Sequence, residues 1–186
     1  MTTVSGKRQL RLVKGLSASR SELRPLVEEF LNFHRDLAGD SHATARELDA
    51  TLRAWLRKGN STLFLVRGGN HAIGFVVIRK APDDPVFWLD DLFVKEDLRR
   101  SGIGRRIVRA VELFVKGKGG DALYIPVAAT NRAALLFYSK LGYSRINMVE
   151  LIRPLRTTRS NSRSGTRSPV CHTQIAGVDF VVRSLP

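Results

Sequence analysis

The stretch EDLRRSGIGRR, residues 96–106, sets two glycines among arginines, after an apolar run and before a segment of helical periodicity. A glycine-rich turn that opens a helix presents unpaired backbone N–H groups at the positive end of the helix dipole, and such groups bind phosphate. Glycine is needed where a Cβ would hold the anion away, and arginines add charge-assisted hydrogen bonds. The stretch therefore resembles a pyrophosphate-binding turn in composition. Two glycines alone are more often a loop before an exposed basic helix, so the rest of the chain must decide.

Two common phosphate-binding motifs do not fit this stretch. A Rossmann fingerprint would need a glycine three residues after Gly104, where the chain has Ile107. A P-loop would need Gly-Lys-Ser/Thr four residues beyond its first glycine, and Gly102 has no such triplet after it. The pattern that remains is Arg-x-x-Gly-x-Gly, residues 99–104.

The composition indicates one globular domain with an anionic partner. The chain has 186 residues, of which 43% are hydrophobic, and carries a net charge of +14. That charge suits nucleic acid or a phosphorylated small molecule, although six arginines against one aspartate lie after residue 152. No apolar run is long enough to cross a bilayer and no secretory signal is visible, so we expect a cytoplasmic protein without membrane contact. Cys171 is the only cysteine, which excludes an intramolecular disulfide.

Hydrophobic periodicity predicts an α/β domain. Its order, β-α-α-β-β-β-α-β-α-β(β), predicts a mixed, mostly antiparallel central sheet flanked by helices. Thr44 and Glu47 form a capping-box pattern, and Pro126 stands near the end of the fifth strand. The predicted strands are 9–14, 62–67, 72–80, 86–94, 122–127 and one or two within 143–152, and the predicted helices begin near 19–21, at 44, at 102 and at 131.

Composition also divides the chain into three segments. We expect a flexible N-terminus at 1–8, the domain at 9–155, and a basic Ser/Arg-rich tail at 156–186 that is disordered. Within that tail, residues 175–182 have the alternative of a late strand.

Three segments resemble the GCN5-related N-acetyltransferase (GNAT) superfamily. Arg-x-x-Gly-x-Gly at 99–104 resembles its acetyl-CoA-binding motif, and WLDDLFV at 88–94 resembles its fourth strand, whose end lines the pantetheine arm. NRAALLFYSKLGY at 131–143 resembles its second CoA segment. The resemblance covers about residues 10–155 and implies the acyl-CoA N-acyltransferase fold, in which the fourth and fifth strands splay apart. Pro126 fits such a splay.

The resemblance implies acetyl-CoA as co-substrate and assigns residues to it. Asn131, which is also a natural N-cap, would bond the pantetheine arm, and Tyr138 would protonate the leaving thiolate. Read alone, Tyr138 is more often a core aromatic. The implied cofactor-binding residues are Leu92, Phe93, Val94, Arg99, Arg100, Ser101, Gly102, Ile103, Gly104, Arg105 and Asn131.

Asp90 and Asp91 are the candidates for removing the amine proton. An amine with a pKa of about 10.4 is almost entirely protonated at neutral pH, so a base or a pKa-lowering site is required. Aspartate is disfavoured in strands, yet two stand together in an apolar one, and alternation should place one on each face. The run resembles the acidic strand of polyamine acetyltransferases, which ranks Asp90 first as base or water-holder and Asp91 as amine ligand. The alternative is that both are merely solvated near a strand end.

A metal site is not expected. His34, Asp36, Asp40 and His42 cluster in the sequence, but their spacing matches no standard metal site, and a solvated loop is the simpler interpretation.

Two kinds of function fit these features. The first is an acetyl-CoA-dependent N-acetyltransferase that works by direct attack in a ternary complex, since Cys171 lies in the tail and is a poor nucleophile. Its acceptor would be a polyamine-like or other cationic small amine, with a protein or peptide amine as the alternative. The second is an RNA- or ribosome-binding protein on the same fold, less favoured because no aromatic stacking platform accompanies the charge. A homodimer is compatible with the sequence.

Overall fold

A five-stranded sheet organises the first of two units in the computed structural model. The structure describes residues 10–15, 19–57, 59–129, 131–147, 171–175 and 178–182. The first unit comprises Met1–Asn32 and Ala43–Pro126, and the second comprises Phe33–His42 and Val127–Pro186.

The sheet of the first unit is mixed and mostly antiparallel. Its strands are β1 (Leu10–Lys14), β2 (Ser61–Gly68), β3 (His71–Lys80), β4 (Val86–Val94) and β5 (Ala122–Tyr124). They lie in the order β1-β2-β3-β4-β5, and only the pairing of β4 with β5 is parallel. The predicted fold class is confirmed, and β4 has the predicted bounds.

Gly74 sets how closely β3 approaches the end of β4. A Cβ built on Gly74 would lie 2.1 Å from the carbonyl oxygen of Phe93, a distance that no side chain tolerates. Glycine is therefore required at the point where β3 passes the strand that carries the predicted site residues.

Two helices cover one face of this sheet. They are α1 (Arg20–Ala38), whose residues from Phe33 onward belong to the second unit, and α2 (Ala45–Leu56). The predicted capping box is confirmed, because the Glu47 backbone N–H donates to Thr44 Oγ1 at 3.3 Å and the Thr44 N–H donates to Glu47 Oε2 at 2.7 Å. The apolar faces of α1 and α2 pack against β2, β3 and β4 in one buried core. Its residues are Leu23, Leu26, Val27, Phe30, Leu48, Leu52, Leu63, Leu65, Phe75, Val77 and Phe93.

A third helix packs on the opposite face. In α3 (Ile103–Gly117), Phe114 meets Phe64 of β2 edge-on, with ring centroids 5.1 Å apart. Phe64 alternates with Leu63 and Leu65 along β2, so its side chain lies on the other face from the core above. The sheet of the first unit is thus covered on both faces.

The second unit contains α4 (Arg132–Ser139) and a hairpin of β6 (Cys171–Ile175) and β7 (Val178–Val182). The hairpin corrects the expectation that the whole of 156–186 is disordered. The sequence allowed, as an alternative, one late strand at 175–182, and the structure has two strands, β6 and β7. Residues 143–147 contain no strand, and the rest of the range 143–152, in which one or two strands were predicted, is not described. The flexible segment 1–8 and the rest of the tail also lie outside the described residues.

Candidate active site

β4 extends well beyond its parallel partner. β5 pairs with it only at Val86–Trp88, so within the described residues no strand pairs with that edge of β4 from Leu89 to Val94. Pro126, two residues after the end of β5, has no N–H with which to continue the ladder. An edge without a paired strand can bond an extended ligand as it would bond an added strand. The predicted pantetheine-lining residues, 92–94, lie on this edge.

A β-bulge at Asp90 brings the two aspartates to one side of the sheet. On β3, Val77 lies opposite Asp91 and the next residue lies opposite Leu89, so Asp90 is an extra residue. Asp91 shares the face of Val77, and Asp90 bonds Arg79, which lies two residues further along the same face of β3. The prediction of one aspartate on each face was wrong, because the bulge interrupts the alternation between them.

The carboxylate of Asp90 is held by Arg79. Arg79 Nε donates to Oδ2 at 2.8 Å and Nη2 donates to Oδ1 at 2.9 Å, a bidentate and charge-assisted pair. The guanidinium lies 4.3 Å from the ring centroid of Trp88, which in turn stacks on Tyr124. Because both carboxylate oxygens are engaged, Asp90 is poorly placed to accept a proton from an amine.

Asp91 has the electrostatics of a base. Burial, and secondly the charge of the neighbouring Asp90, raise the pKa of the Asp91 carboxyl from an ordinary 3.8 to about 6. Such a group is ionised at neutral pH and accepts a proton more readily than an ordinary aspartate. The geometry therefore favours Asp91 over Asp90 as the base, which reverses the order that we predicted from the sequence.

The turn between β4 and α3 ends in an open helix N-terminus. Gly102 is the N-cap, with a left-handed φ of +82°, and provides no side-chain cap hydrogen bond. No acidic residue lies in the first turn of α3, so its backbone N–H groups and dipole suit an anion. The turn is fixed by a hydrogen bond that Ser101 Oγ donates to the Leu98 carbonyl at 2.6 Å, and Arg100 adopts the left-handed φ of +60°. These features fit a pyrophosphate group at the predicted residues 99–105.

The three predicted arginines of this turn differ in their surroundings. Arg99 Nε donates to the Val94 carbonyl at 3.0 Å, and its guanidinium lies 5.5 Å from the ring centroid of Phe93. Through these two contacts, Arg99 holds the turn against the end of β4. Arg100 and Arg105 are exposed, and they are better placed than Arg99 to meet a phosphate from solvent.

Asn131 and Tyr138 belong to the second unit. Asn131 Oδ1 accepts the Ala134 N–H at 3.1 Å, which confirms the predicted N-cap of α4. Tyr138 is partly buried, and its ring centroid lies 4.9 Å from that of Phe137 and 6.0 Å from that of Tyr143. Their roles toward the cofactor stay predictions.

In the cluster of His34, Asp36, Asp40 and His42 near the end of α1, His42 Nε2 lies 3.1 Å from Asp36 Oδ1, and both of these side chains are exposed. In the described part of the chain, no group of three or more His, Cys, Asp or Glu residues could hold a metal ion. None of the helices described there combines the length and the apolar character needed to cross a membrane.

Arg79 is the site residue that the sequence analysis missed. Its signal was a basic residue at the end of the apolar strand AIGFVVIRK, but its contact with Asp90 depends on the register of β3 and β4. Sequence spacing alone does not give that register.

The family model supplies the deciding observation. The model of the acetyltransferase (GNAT) family matches residues 25–143, well over half of the chain, including β4, the glycine turn and α4. The chain belongs to the GNAT family. Members of this family are N-acetyltransferases that use acetyl-CoA, so the predicted family, enzyme class and co-substrate are confirmed.

Individual GNAT relatives agree with this assignment. The uncharacterized N-acetyltransferase YhfO of Bacillus subtilis (strain 168) is 24% identical over 131 residues, 68% of this chain and 85% of YhfO. The uncharacterized N-acetyltransferase YobR of the same organism is 30% identical over 59 residues, and the match spans 32% of this chain but only 24% of YobR.

Solved structures show the same fold. A tetramutant of the BH1408 protein from Bacillus halodurans superposes with a TM-score of 0.64 at 23% identity, covering 79% of this chain and 99% of that one. The aminoglycoside N-acetyltransferase AAC(6')-Iy in complex with CoA gives a TM-score of 0.60 at 17% identity, with 80% and 96% covered.

Proposed function

We propose that this GNAT protein acetylates a small cationic primary amine by direct attack on the thioester of acetyl-CoA in a ternary complex. The observation that carries the proposal is Asp91, a carboxylate with a pKa raised to about 6 on β4, the strand whose edge lacks a paired neighbour beyond Trp88. A base and a docking edge for an extended thioester are thereby provided by one strand.

The cofactor half of the proposal rests on the edge of β4 and the turn after it. The backbone of residues 92–94 would bond the pantetheine arm as an added strand does, and the N–H groups after Gly102 would hold the pyrophosphate. The exposed side chains of Arg100 and Arg105 would add charge-assisted bonds to its oxygens.

The acceptor half rests on the acidic side of the bulge. The ammonium form of the acceptor would pair with Asp91, lose a proton to it, and attack the thioester carbonyl with the freed lone pair. The new C–N bond forms as the C–S bond breaks, and the thiolate of CoA leaves. The nitrogen, positively charged once it has attacked, loses its second proton to water, which leaves a neutral amide. Tyr138 would supply the proton that the thiolate takes, and the second proton released by the nitrogen would return to Tyr138 through water. No acyl-enzyme is required by this sequence of events.

The test is acetyl-CoA-dependent thiol release with a panel of acceptors: an aliphatic monoamine, a diamine, an aminoglycoside and a peptide with a free N-terminus. We expect small cationic amines to give the highest kcat/KM. Turnover with the peptide alone would replace the small amine by a protein amine, and turnover with none of the four would contradict the proposed function.

Cofactor binding has a separate test in Gly104→Asp. An acidic residue in the first turn favours the helix but repels a phosphate, so the variant should stay folded and lose acetyl-CoA binding by calorimetry. The matched control is Gly117→Asp at the other end of α3, where a Cβ meets nothing within 4 Å. Unchanged affinity in Gly104→Asp, or equal loss in both variants, would remove the turn from the cofactor site.

A further inference from the structure

Arg79 bonds Asp90, the residue that precedes the proposed base in the chain, and takes no part in the chemistry described above. We propose that Arg79 is a positioning residue that bonds both oxygens of Asp90, lowers the net charge of the acceptor site from −2 to −1, and leaves Asp91 as the carboxylate available to the acceptor. A second ammonium then has no carboxylate to pair with, which favours acceptors with one positive charge over those with two. The inference rests on the proposed function and narrows its substrate class from cationic amines in general to monocations.

Three contacts hold the Arg79 side chain. Its Nε and Nη2 atoms bond the two oxygens of Asp90 at 2.8 and 2.9 Å, and its guanidinium carbon lies 4.3 Å from the ring centroid of Trp88. Trp88 is itself stacked on Tyr124, with ring centroids 5.8 Å apart. The planar guanidinium matches both the carboxylate fork and the aromatic face, which a lysine ammonium does not. Arg79 is thus fixed to Asp90 from the side of the sheet that carries both aspartates.

Because of the bulge at Asp90, the pairing of Arg79 with Asp90 affects which acceptor charge the site prefers. Because both carboxylates lie on one face, an acceptor would meet a site charge of −2 if Arg79 were absent. With Arg79 paired to Asp90, the charge that the three side chains present is −1. A second ammonium on the acceptor could reach a carboxylate only by breaking a bidentate pair that is already made. The two adjacent aspartates in the sequence had favoured a polyamine-like acceptor. The contact between Arg79 and Asp90 argues instead for an acceptor with a single positive charge.

A charge-restoring double variant tests the inference. The measured quantity is the ratio of kcat/KM for an aliphatic diamine to that for the monoamine of equal chain length. Arg79→Gln leaves both carboxylates free, and the ratio should rise about tenfold, the effect of one additional close charge near a protein surface. Asp90→Asn removes the charged partner of Arg79, so the net charge of the three side chains becomes zero and KM should rise for both amines.

The double variant Arg79→Gln/Asp90→Asn restores a site charge of −1 with neutral groups in both positions. Its diamine-to-monoamine ratio should return to the wild-type value, and its KM should lie below that of Asp90→Asn. A purely structural role for the pair predicts instead that the double variant is no better than the worse single variant. That result, or an unchanged ratio in Arg79→Gln, would overturn the inference.

Two further variants separate charge from folding. Arg79→Lys keeps the positive charge without the fork and should keep the wild-type ratio, so a ratio like that of Arg79→Gln would count against the charge account. Arg53→Gln, at an exposed position of α2, should change neither ratio nor KM. Failure of the wild type to acetylate either amine would overturn the proposed function together with this inference, whereas acetylation with a ratio insensitive to Arg79 would overturn the inference alone.

Discussion

Asp91→Asn should stabilise the protein while it disables the enzyme. The substitution keeps the shape of the side chain and removes its charge. In the folded protein the ionised form of Asp91 is disfavoured, because burial and the charge of Asp90 raise its pKa to about 6. Asparagine escapes this penalty but cannot accept the amine proton. Stability and activity are therefore expected to move in opposite directions, as they do where a site is kept strained for function.

The size of the stability effect follows from the pKa. One pKa unit corresponds to about 1.4 kcal/mol, so a rise from 3.8 to about 6 amounts to about 3 kcal/mol against the ionised form in the folded state. A raised carboxyl pKa leaves no penalty below the unfolded pKa of 3.8 and the full penalty above about 6. Asp91→Asn should therefore gain up to about 3 kcal/mol over the wild type at pH 8, and about half of that at pH 5.

Urea unfolding of both proteins at pH 8 and pH 5 measures this gain, and Asp90→Asn is the matched control. That variant loses a partner of Arg79, so it should be less stable than the wild type at pH 8, the opposite sign. In kinetics, the wild-type rate should fall as the pH drops through about 6, where Asp91 becomes protonated. Asp91→Asn should have a kcat lower by about 10²-fold and a rising limb moved to higher pH.

Equal stability gains at the two pH values would refute the reasoning about charge, since only an ionisable group makes the gain depend on pH. A gain in stability with unchanged kcat would keep the electrostatics but remove Asp91 from the chemistry.

Two further predictions concern other parts of the site. Tyr138→Phe keeps the ring contacts with Phe137 and Tyr143 and removes the hydroxyl. Its kcat should fall by about 10²-fold with little change in acetyl-CoA affinity. Equal turnover in the two proteins would show that Tyr138 only packs against its neighbours. Gly74→Ala forces a Cβ toward the Phe93 carbonyl and should lower stability by about 1–3 kcal/mol or more, with a higher KM for acetyl-CoA because the end of β4 must move. The control is Gly117→Ala on α3, where a Cβ meets nothing within 4 Å, and its KM should be unchanged. If Gly74→Ala is as stable as the wild type, β3 and β4 can separate without cost and the reasoning is wrong.

Local patterns predicted much of the fold because their causes are local. The capping box at Thr44 was visible because a cap and its partner stand three residues apart in the sequence. The apolar run of β4 and the amphipathic pattern of α3 likewise identify their own elements. The glycine turn was recognised by its spacing, and the structure gives Gly102 the left-handed conformation that such a residue is used for.

The acidic pair was interpreted less well because its geometry depends on pairing between strands. Strict alternation assumes a regular ladder, and the extra residue at Asp90 breaks it. The partner of Asp90 is Arg79, eleven residues earlier in the chain, and their contact follows from the register of β3 and β4. The assignment of base and amine ligand depended on both features, so it changed once the structure was known.

The prediction of disorder in the tail shows that amino-acid composition does not always reveal secondary structure. Its Ser/Arg-rich sequence has too few apolar residues to predict a packed core, yet β6 and β7 pair through backbone hydrogen bonds that are independent of side-chain hydrophobicity.

Single-turnover transfer of an isotopically labelled acetyl group tests the central claim most directly. The enzyme would be mixed with labelled acetyl-CoA and a monoamine, quenched at successive times, and separated into protein, amine and cofactor. Direct transfer predicts that label passes from acetyl-CoA to the amine at the rate of thiol release, that the protein never carries it, and that Asp91→Asn slows this step. Label that accumulates on the protein before it reaches the amine, or thiol release without labelled amine, would contradict the account.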